Sequence, residues 1–310
     1  FKSLSKINMK RRFSLVPLVI IAIVFYIINV YVLSGLQFLI HSKLLVPGFW
    51  IFILTLTIAL FIAIRRFQKL GMHTFFQWVS HLFLGLVIVE IIFAAFLLLG
   101  DIYRLGVSLF TYFQPNGFHW VPRSAYWIEF SFLILIATVL LFFYGITKGK
   151  YAYRVIKHTL YFDDLPASFD GFTLTQISDV HAGSFTNPKE VQKGIDLINA
   201  QKSDLFVFTG DLVNNAATEI RPYLGHFAQI KAPFGQFSVL GNHDYGDYIK
   251  WPNEEAKIKN LEQLKHYHAA IGFRLLLDEH VELRKGNDKI ILAGIENWGI
   301  GFGERGDLEQ

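Results

Sequence analysis

Six residues in the second half of the chain have the types and order that metal-assisted chemistry needs. They fall in three short clusters: Ser178-Asp179-Val180-His181, Thr209-Gly210-Asp211-Leu212 and Gly241-Asn242-His243-Asp244. Asp179, His181, Asp211, Asn242, His243 and Asp244 offer carboxylate, imidazole and amide donors. No sulfur is available, because the chain has no cysteine. That excludes thiolate metal sites, disulfide frameworks and cysteine nucleophiles. An oxygen and nitrogen set suits hard or borderline divalent ions such as Mn²⁺, Fe²⁺ or Zn²⁺. Each cluster alone is a weak signal. Asp-x-His can be a local cap, and Gly-Asp after an apolar run is usually a turn, since Gly, Asn and Asp are turn formers. A turn accounts for Gly241 and Asn242 but leaves His243 unexplained. Three such clusters, each closing an apolar run, are far more specific than any one.

Those runs are the elements that must position the clusters. Phe172–Ser178, Asp204–Thr209 and Gln236–Leu240 read as strands. Asn187 then Pro188 is an N-cap followed by proline at the first helical position, opening a helix to about Ala200. Glu254–Ala270 reads as an amphipathic helix. Arg274–Leu277, Val281–Arg284 and Lys289–Ile295 read as further strands, and the weak alternation of Tyr151–Phe162 as an earlier one. Strands alternating with helices indicate an α/β fold, in which ligands bind at the carboxyl ends of strands. Adjacent strands would bring the clusters together. Asp179 and Asp211 would repel there unless a cation lay between them. His226, His266 and His268 read as solvated helix or loop residues, and Asn214 and Asn215 as loop residues.

The first half of the chain is of another kind. The protein is 53% hydrophobic, and its long apolar runs lie before residue 148. Spanning a bilayer core of about 30 Å takes about 20 helical residues. Phe13–Leu33, Phe49–Ile64, Val79–Leu99 and Trp127–Ile146 qualify. The second is short and extends back past Pro47 only with a kink. Lys2, Lys6, Lys10, Arg11, Arg12, Arg65, Arg66, Lys69, Lys148, Lys150, Arg154 and Lys157 flank one side, against only Lys43, Arg104 and Arg123 on the other. The positive-inside rule then puts both termini and everything after residue 150 in the cytoplasm, with loops 35–47 and 100–126 outside. The localisation expected is the inner (cytoplasmic) membrane. The net charge of +4 is thus explained by topology, and no nucleic-acid partner is expected. Glu90, a carboxylate in the middle of an expected span, reads as a neutral, hydrogen-bonded group facing the bundle. His41, His73 and His81 read as interfacial polar residues.

With these residues in hand, the chain resembles the calcineurin-like metallophosphoesterases, whose pattern is D-x-H, G-D, G-N-H-[DE], a lone His and G-H-x-H. The segments ISDVHAGS, FTGDLVN, LGNHDY and LAGIENWG are similar to a membrane-attached bacterial branch. That branch includes enzymes cleaving the pyrophosphate of UDP-2,3-diacylglucosamine in lipid A synthesis. The resemblance implies two divalent ions, with Asp179 and His181 on the first, Asp211 bridging and Asn242 on the second. It makes His243 the acid beside the metals and Asp244 the group that orients it. The lone His and G-H-x-H have no counterpart before Gln310, which carries the expectation that this chain is a fragment and inactive as it stands. The fold expected is an N-terminal bundle of four transmembrane α-helices followed by a truncated four-layer α/β/β/α sandwich. Its parts are a cytoplasmic segment at 1–12, the helices at 13–147, a linker with a first strand at 148–171 and the phosphoesterase domain at 172–310. The function implied is hydrolysis of a phosphoester or pyrophosphate bond at the cytoplasmic face, with membrane lipids and a lipid-linked substrate as partners. The alternative is a membrane sensor or scaffold that binds a phosphorylated ligand without turnover.

Overall fold

The computed structural model describes residues 16–70, 73–115, 117–299 and 301–307. It divides into two compact units. The first comprises the described residues up to Thr57 together with Leu82–Tyr144. The second comprises Ile58–His81 together with the described residues from Gly145 onward.

Four long helices run through the first part of the chain: α1 (Val16–Leu39), α2 (Leu45–Leu70), α3 (Thr74–Thr111) and α4 (Ala125–Thr147). All four are long and apolar enough to cross a membrane. The beginning of the first expected span lies outside the described residues. Helix α2 starts before Pro47, where a kink was expected. Proline is tolerated there because first-turn N–H groups have no intrahelical acceptor. Helix α3 runs past the expected end at Leu99 through Gly100 and Asp101 to Thr111. At 38 residues and a rise of 1.5 Å each it is about 57 Å long, well beyond a hydrocarbon core of about 30 Å. Two things let it continue. A Cβ on Gly100 would meet the Trp127 ring at 2.3 Å, so only glycine admits α4 this closely. Asp101 is also neutralised, by a two-point contact from Arg123 at 3.0 and 2.6 Å. The expected 100–126 loop shrinks accordingly, and Ser108 is fully buried. Val32, Phe93, Leu97 and Ile128 form the core of this unit. Glu90 and Asn29 are buried together, the Asn29 amide donating to Glu90 Oε2 at 3.4 Å.

The second unit is built on a parallel sheet of β1 (Leu174–Ile177), β2 (Leu205–Thr209), β3 (Gln236–Val239) and β4 (Arg274–Leu275), in that order. Helices α5 (Pro188–Ala200), α6 (Leu224–Phe227) and α7 (Glu254–Ala270) form the crossovers. Strand β2 is apolar on both faces, as a strand buried on both sides must be. Phe206 and Phe208 pack with Val191 and Ile195 of α5 and Leu264 of α7. Leu205 faces the other way, with Phe237 of β3 and with Val281 and Leu283 of the antiparallel hairpin β5 (Glu279–Lys285) and β6 (Asp288–Gly294). Helices, sheet and hairpin therefore stack as layers. Two short strands, β7 (Trp298–Gly299) and β8 (Gly303–Glu304), follow.

The strand expected at Tyr151–Phe162 does not form; residues 152–162 have no regular structure. Leu160 and Tyr161 are largely exposed, so the weak alternation has no face to bury. Tyr151 instead anchors the entry to α5. Its buried hydroxyl accepts from the N–H groups of Thr186 and Asn187 at 2.9 and 3.1 Å.

Candidate metal centre

Three consecutive parallel strands end side by side, and the chain turns sharply at each. Asp179, His181 and Asp211 all take left-handed backbone angles, with φ of 54°, 46° and 61°. Such a conformation is uncommon outside glycine, although Asp and His tolerate it better than most, and it costs on the order of 1–3 kcal/mol per residue. The strain persists because neighbouring backbone fixes it. Beyond the last regular pair of β1 and β2, Asp179 N–H donates to Gly210 O, His181 N–H to Asp211 O and Ala182 N–H to Leu212 O, each at 3.0 Å. The glycines of the second and third clusters are explained by contact. A Cβ on Gly210 would meet Gly241 N at 2.6 Å, and one on Gly241 would meet Asp211 Oδ1 at 2.2 Å. The two turns can touch only if both are glycine.

This contact gathers the side chains. Ligand atoms of His181, Asp211 and His243 all lie within 4.8 Å of one another. His181 Nε2 is 3.7 Å from Asp211 Oδ2 and 3.9 Å from Asp179 Oδ1. These separations are too long for hydrogen bonds. They are close to the ~3–3.6 Å between two ligands that share an ion at ~2.0–2.2 Å from each. The donor set and its spacing fit a divalent cation. The other Asp211 oxygen, Oδ1, is occupied by the His243 N–H at 2.9 Å, which turns Oδ2 toward His181. Asn242 gives its amide N–H to the Tyr248 hydroxyl at 2.6 Å, leaving its side-chain carbonyl oxygen as the available acceptor.

His243 stands against His181, ring centroids 4.7 Å apart and nearly perpendicular. Its Nδ1 is 2.8 Å from the carbonyl of Asn214. A carbonyl only accepts, so Nδ1 carries the proton and Nε2 is the free position on the ring. Asp244, which the resemblance made the group orienting this imidazole, makes its hydrogen bonds to backbone instead. It is fully buried and accepts from the backbone N–H groups of Asp211, Gly241 and Val213 at 2.9, 3.0 and 3.2 Å. Asp244 thus clamps the Gly-Asp turn to the Gly-Asn-His-Asp turn. Burial pushes its carboxyl up to about 7, against those three N–H groups, which favour the ionised form.

The orientation of His243 rests instead on Glu219, which the sequence reading passed over. Its carboxylate accepts from Asn214, Asn215 and Ala216 N–H at 2.6, 3.3 and 3.3 Å. It thereby shapes the loop whose Asn214 carbonyl holds the imidazole. Burial pushes the Glu219 carboxyl up and the three N–H groups pull it down. A signal was available: Glu219 sits three residues after Ala216, the spacing of a carboxylate reaching back to a turn's first N–H. The Gly of His181-Ala182-Gly183 belongs to the same assembly, since a Cβ there would lie 2.6 Å from Glu219 Oε2. Of the histidines read as solvated, His268 is fully buried, its Nδ1 2.9 Å from Ser238 Oγ.

Two family models match the chain. Residues 11–150 match the transmembrane domain described as that of a probable calcineurin-like phosphoesterase. Residues 172–301 match the calcineurin-like phosphoesterase domain itself. The chain belongs to the calcineurin-like phosphoesterases, in a form that carries a four-helix transmembrane domain. Among curated proteins it is 38% identical over 98 residues to the metallophosphoesterase YkuE of Bacillus subtilis, covering 30% of this chain and 33% of that one. It is 27% identical over 168 residues to a transmembrane protein with metallophosphoesterase domain of Danio rerio, covering 53% and 36%. It is 39% identical over 90 residues to the UDP-2,3-diacylglucosamine pyrophosphatase LpxG of Chlamydia trachomatis, covering 28% and 27%. The matches thus span about a third of those relatives' own lengths. No solved structure matches.

Proposed function

We propose that the protein is a metal-dependent phosphoesterase that cleaves a phosphoester or pyrophosphate bond of a lipid-linked substrate at the cytoplasmic face of the inner membrane. The observation that carries this reading is the convergence of His181, Asp211 and His243 at three adjacent strand ends, in a chain with four helices able to cross a membrane. Asp179, His181, Asp211 and Asn242 would hold the two divalent ions. Such ions supply positive charge to phosphoryl oxygens and make water acidic enough to attack at neutral pH. The residues of the chain do the positioning. Asp211 keeps Oδ2 toward His181 because Oδ1 is tied to the His243 N–H. His243, its Nδ1–H fixed on Asn214 O, directs Nε2 at the reacting group and, once protonated, offers a proton to the departing oxygen.

Two further observations support a membrane-borne substrate. Within the second unit, Gln77 of α3 donates to Gly183 O at 2.5 Å, tying a candidate span to the loop that follows His181. Beside it lies a cavity of about 400 Å³ with Trp78, Lys148, Lys150 and Asn187 in its wall. Trp and Lys together suit the level of lipid headgroups. The likeness to LpxG suggests UDP-2,3-diacylglucosamine as the first compound to try.

The test is hydrolysis by the full-length protein in lipid, with and without Mn²⁺, of UDP-2,3-diacylglucosamine and of a soluble nitrophenyl phosphodiester. Metal-dependent turnover favouring the lipid-linked compound is expected. Equal rates on both would remove the lipid assignment, and binding without turnover would make the domain a sensor. Orientation is read separately, with an impermeant thiol reagent on cells expressing Gln114→Cys or Lys259→Cys, both exposed positions. Labelling at 114 alone is expected.

A further inference from the structure

The first unit contains a cavity of about 550 Å³ near the α3–α4 hairpin, with apolar walls that include Leu97, Leu99, Val107 and Trp127. This is the size and lining of a small-molecule pocket. Three charged groups also line it: Asp101, Arg104 and Arg123. Asp101 is already fully engaged. Arg123 grips it through Nε and Nη2 at 3.0 and 2.6 Å, and the Tyr31 hydroxyl donates to it at 2.8 Å. Arg123 spends its remaining arm on Ser34 Oγ at 3.0 Å. Arg104 comes second to the same carboxylate, at 3.2 Å from Oδ1. Its guanidinium lies over the Trp120 ring, 4.7 Å from the centroid. Its buried Nε has no hydrogen-bond partner among the described residues. Two guanidinium groups thus share one carboxylate, and one positive charge is left over in a largely apolar cavity. An unmatched charge in such a place is costly unless an anion completes it.

We infer that this cavity binds the anionic headgroup of a phospholipid, with its phosphate on Arg104 and an acyl chain along Leu97 and Leu99. The occupant must satisfy a cation and an apolar wall together, which a soluble anion does not do. The wall also continues onto exposed apolar surface of α3 at Leu99 and Tyr103, on a helix able to span the bilayer. Basic residues at the ends of membrane helices are well placed to meet lipid phosphates. The cavity shares no residue with the strand-end cluster that carries the proposed hydrolysis.

Purified full-length protein in detergent micelles would be titrated with phosphatidylglycerol or phosphatidylcholine, and retained lipid counted by native mass spectrometry. Tighter retention of phosphatidylglycerol is expected. Arg104→Gln should weaken it by about 10-fold or more, the worth of one charge-assisted hydrogen bond, and Arg104→Lys should keep part of it. Val107→Trp fills the cavity without touching a charge and should also release the lipid. This second variant keeps the test decisive if Arg104→Gln does not fold. Arg65→Gln, on α2 outside the cavity, should change nothing. Equal retention of the two lipids, undiminished binding in Arg104→Gln or Val107→Trp, or displacement by inorganic phosphate would each overturn the inference.

Discussion

The two units treat their polar groups in opposite ways. In the helical unit the two enclosed carboxylates are answered by side chains. Asp101 has Arg123, Arg104 and Tyr31, and Glu90 has Asn29. At the strand ends of the second unit, backbone N–H groups do the answering. They occupy Asp244 completely and one oxygen of Asp211, and they leave ligand atoms of His181, Asp211 and His243 within 4.8 Å of one another, with Asp179 Oδ1 3.9 Å from His181 Nε2. Pairing side chain with side chain commits the carboxylate to the fold, even where, as at Arg104, a positive charge is left over beside it. Fixing side chains through the backbone leaves donor atoms free for a ligand that is not protein.

The sharpest way to break the comparison is to alter the two histidine-cluster positions assigned different tasks. Asp211→Asn should empty the site of metal. Its effect should exceed the roughly 10–100-fold loss usual for a group one step removed from a metal, and turnover should vanish with it. His243→Asn should keep the metal while the rate falls by about 10²–10⁴-fold, the usual worth of a positioned acid. Metal analysis of both purified variants decides the matter. Equal depletion would move His243 into the coordination sphere, where its nearness to His181 already makes it a neighbour.

A smaller effect compares a carboxylate from each unit. Asp244→Ala strands three buried N–H groups, each worth about 1–3 kcal/mol when unsatisfied. A loss of at least about 3 kcal/mol is expected, with faster hydrogen exchange at Asp211, Val213 and Gly241. Glu90→Gln keeps its shape and its oxygen toward Asn29 and should cost about 1 kcal/mol or less. The reverse order would mean that the buried helical carboxylate, and not the strand-end one, carries the structural load.

What could be read from the sequence follows the same division. The clusters Asp179-x-His181, Gly210-Asp211 and Gly241-Asn242-His243-Asp244 were legible because a polar run at the end of an apolar strand conflicts with burial and so announces itself. The start of α5 was legible because Asn187 and Pro188 are local capping chemistry, and the structure begins the helix at Pro188. What was hidden depends on contacts distant in sequence. Nothing near Asp101 says that Arg123 will neutralise it and let α3 continue. Nothing near Glu219 says that its loop will hold a histidine 24 positions away. The left-handed angles at Asp179, His181 and Asp211 arise only where two turns meet. His268 lies in a helix of charged and polar residues, yet Ser238 of β3 faces it from within the core.

That buried histidine provides the smallest and most graded test. His268 is enclosed on α7, with Phe208 and Phe273 close by. Its Nδ1 pairs with Ser238, and its Nε2 has no partner among the described residues. Burial disfavours the imidazolium and lowers its pKa from 6.5 to about 4. The folded chain therefore keeps the ring neutral at a pH where the unfolded chain has already taken up a proton. The sign follows: the contribution is whole above about pH 6.5, falls as pH drops, and is spent below about pH 4. At pH 5 the loss comes to about 2 kcal/mol, at roughly 1.4 kcal/mol per unit between the two values. Hydrogen exchange of β2 and β3 amides in the full-length protein, measured from pH 7 to pH 5, reports the stability of this unit alone. The double variant Ser238→Ala with His268→Leu removes both polar partners together, which costs little when shape is kept. Its stability should fall with acid by about one proton's slope less than that of the unaltered protein. Parallel slopes would show that His268 takes up its proton in the folded state, and that the acid sensitivity of the second unit lies with its carboxylates.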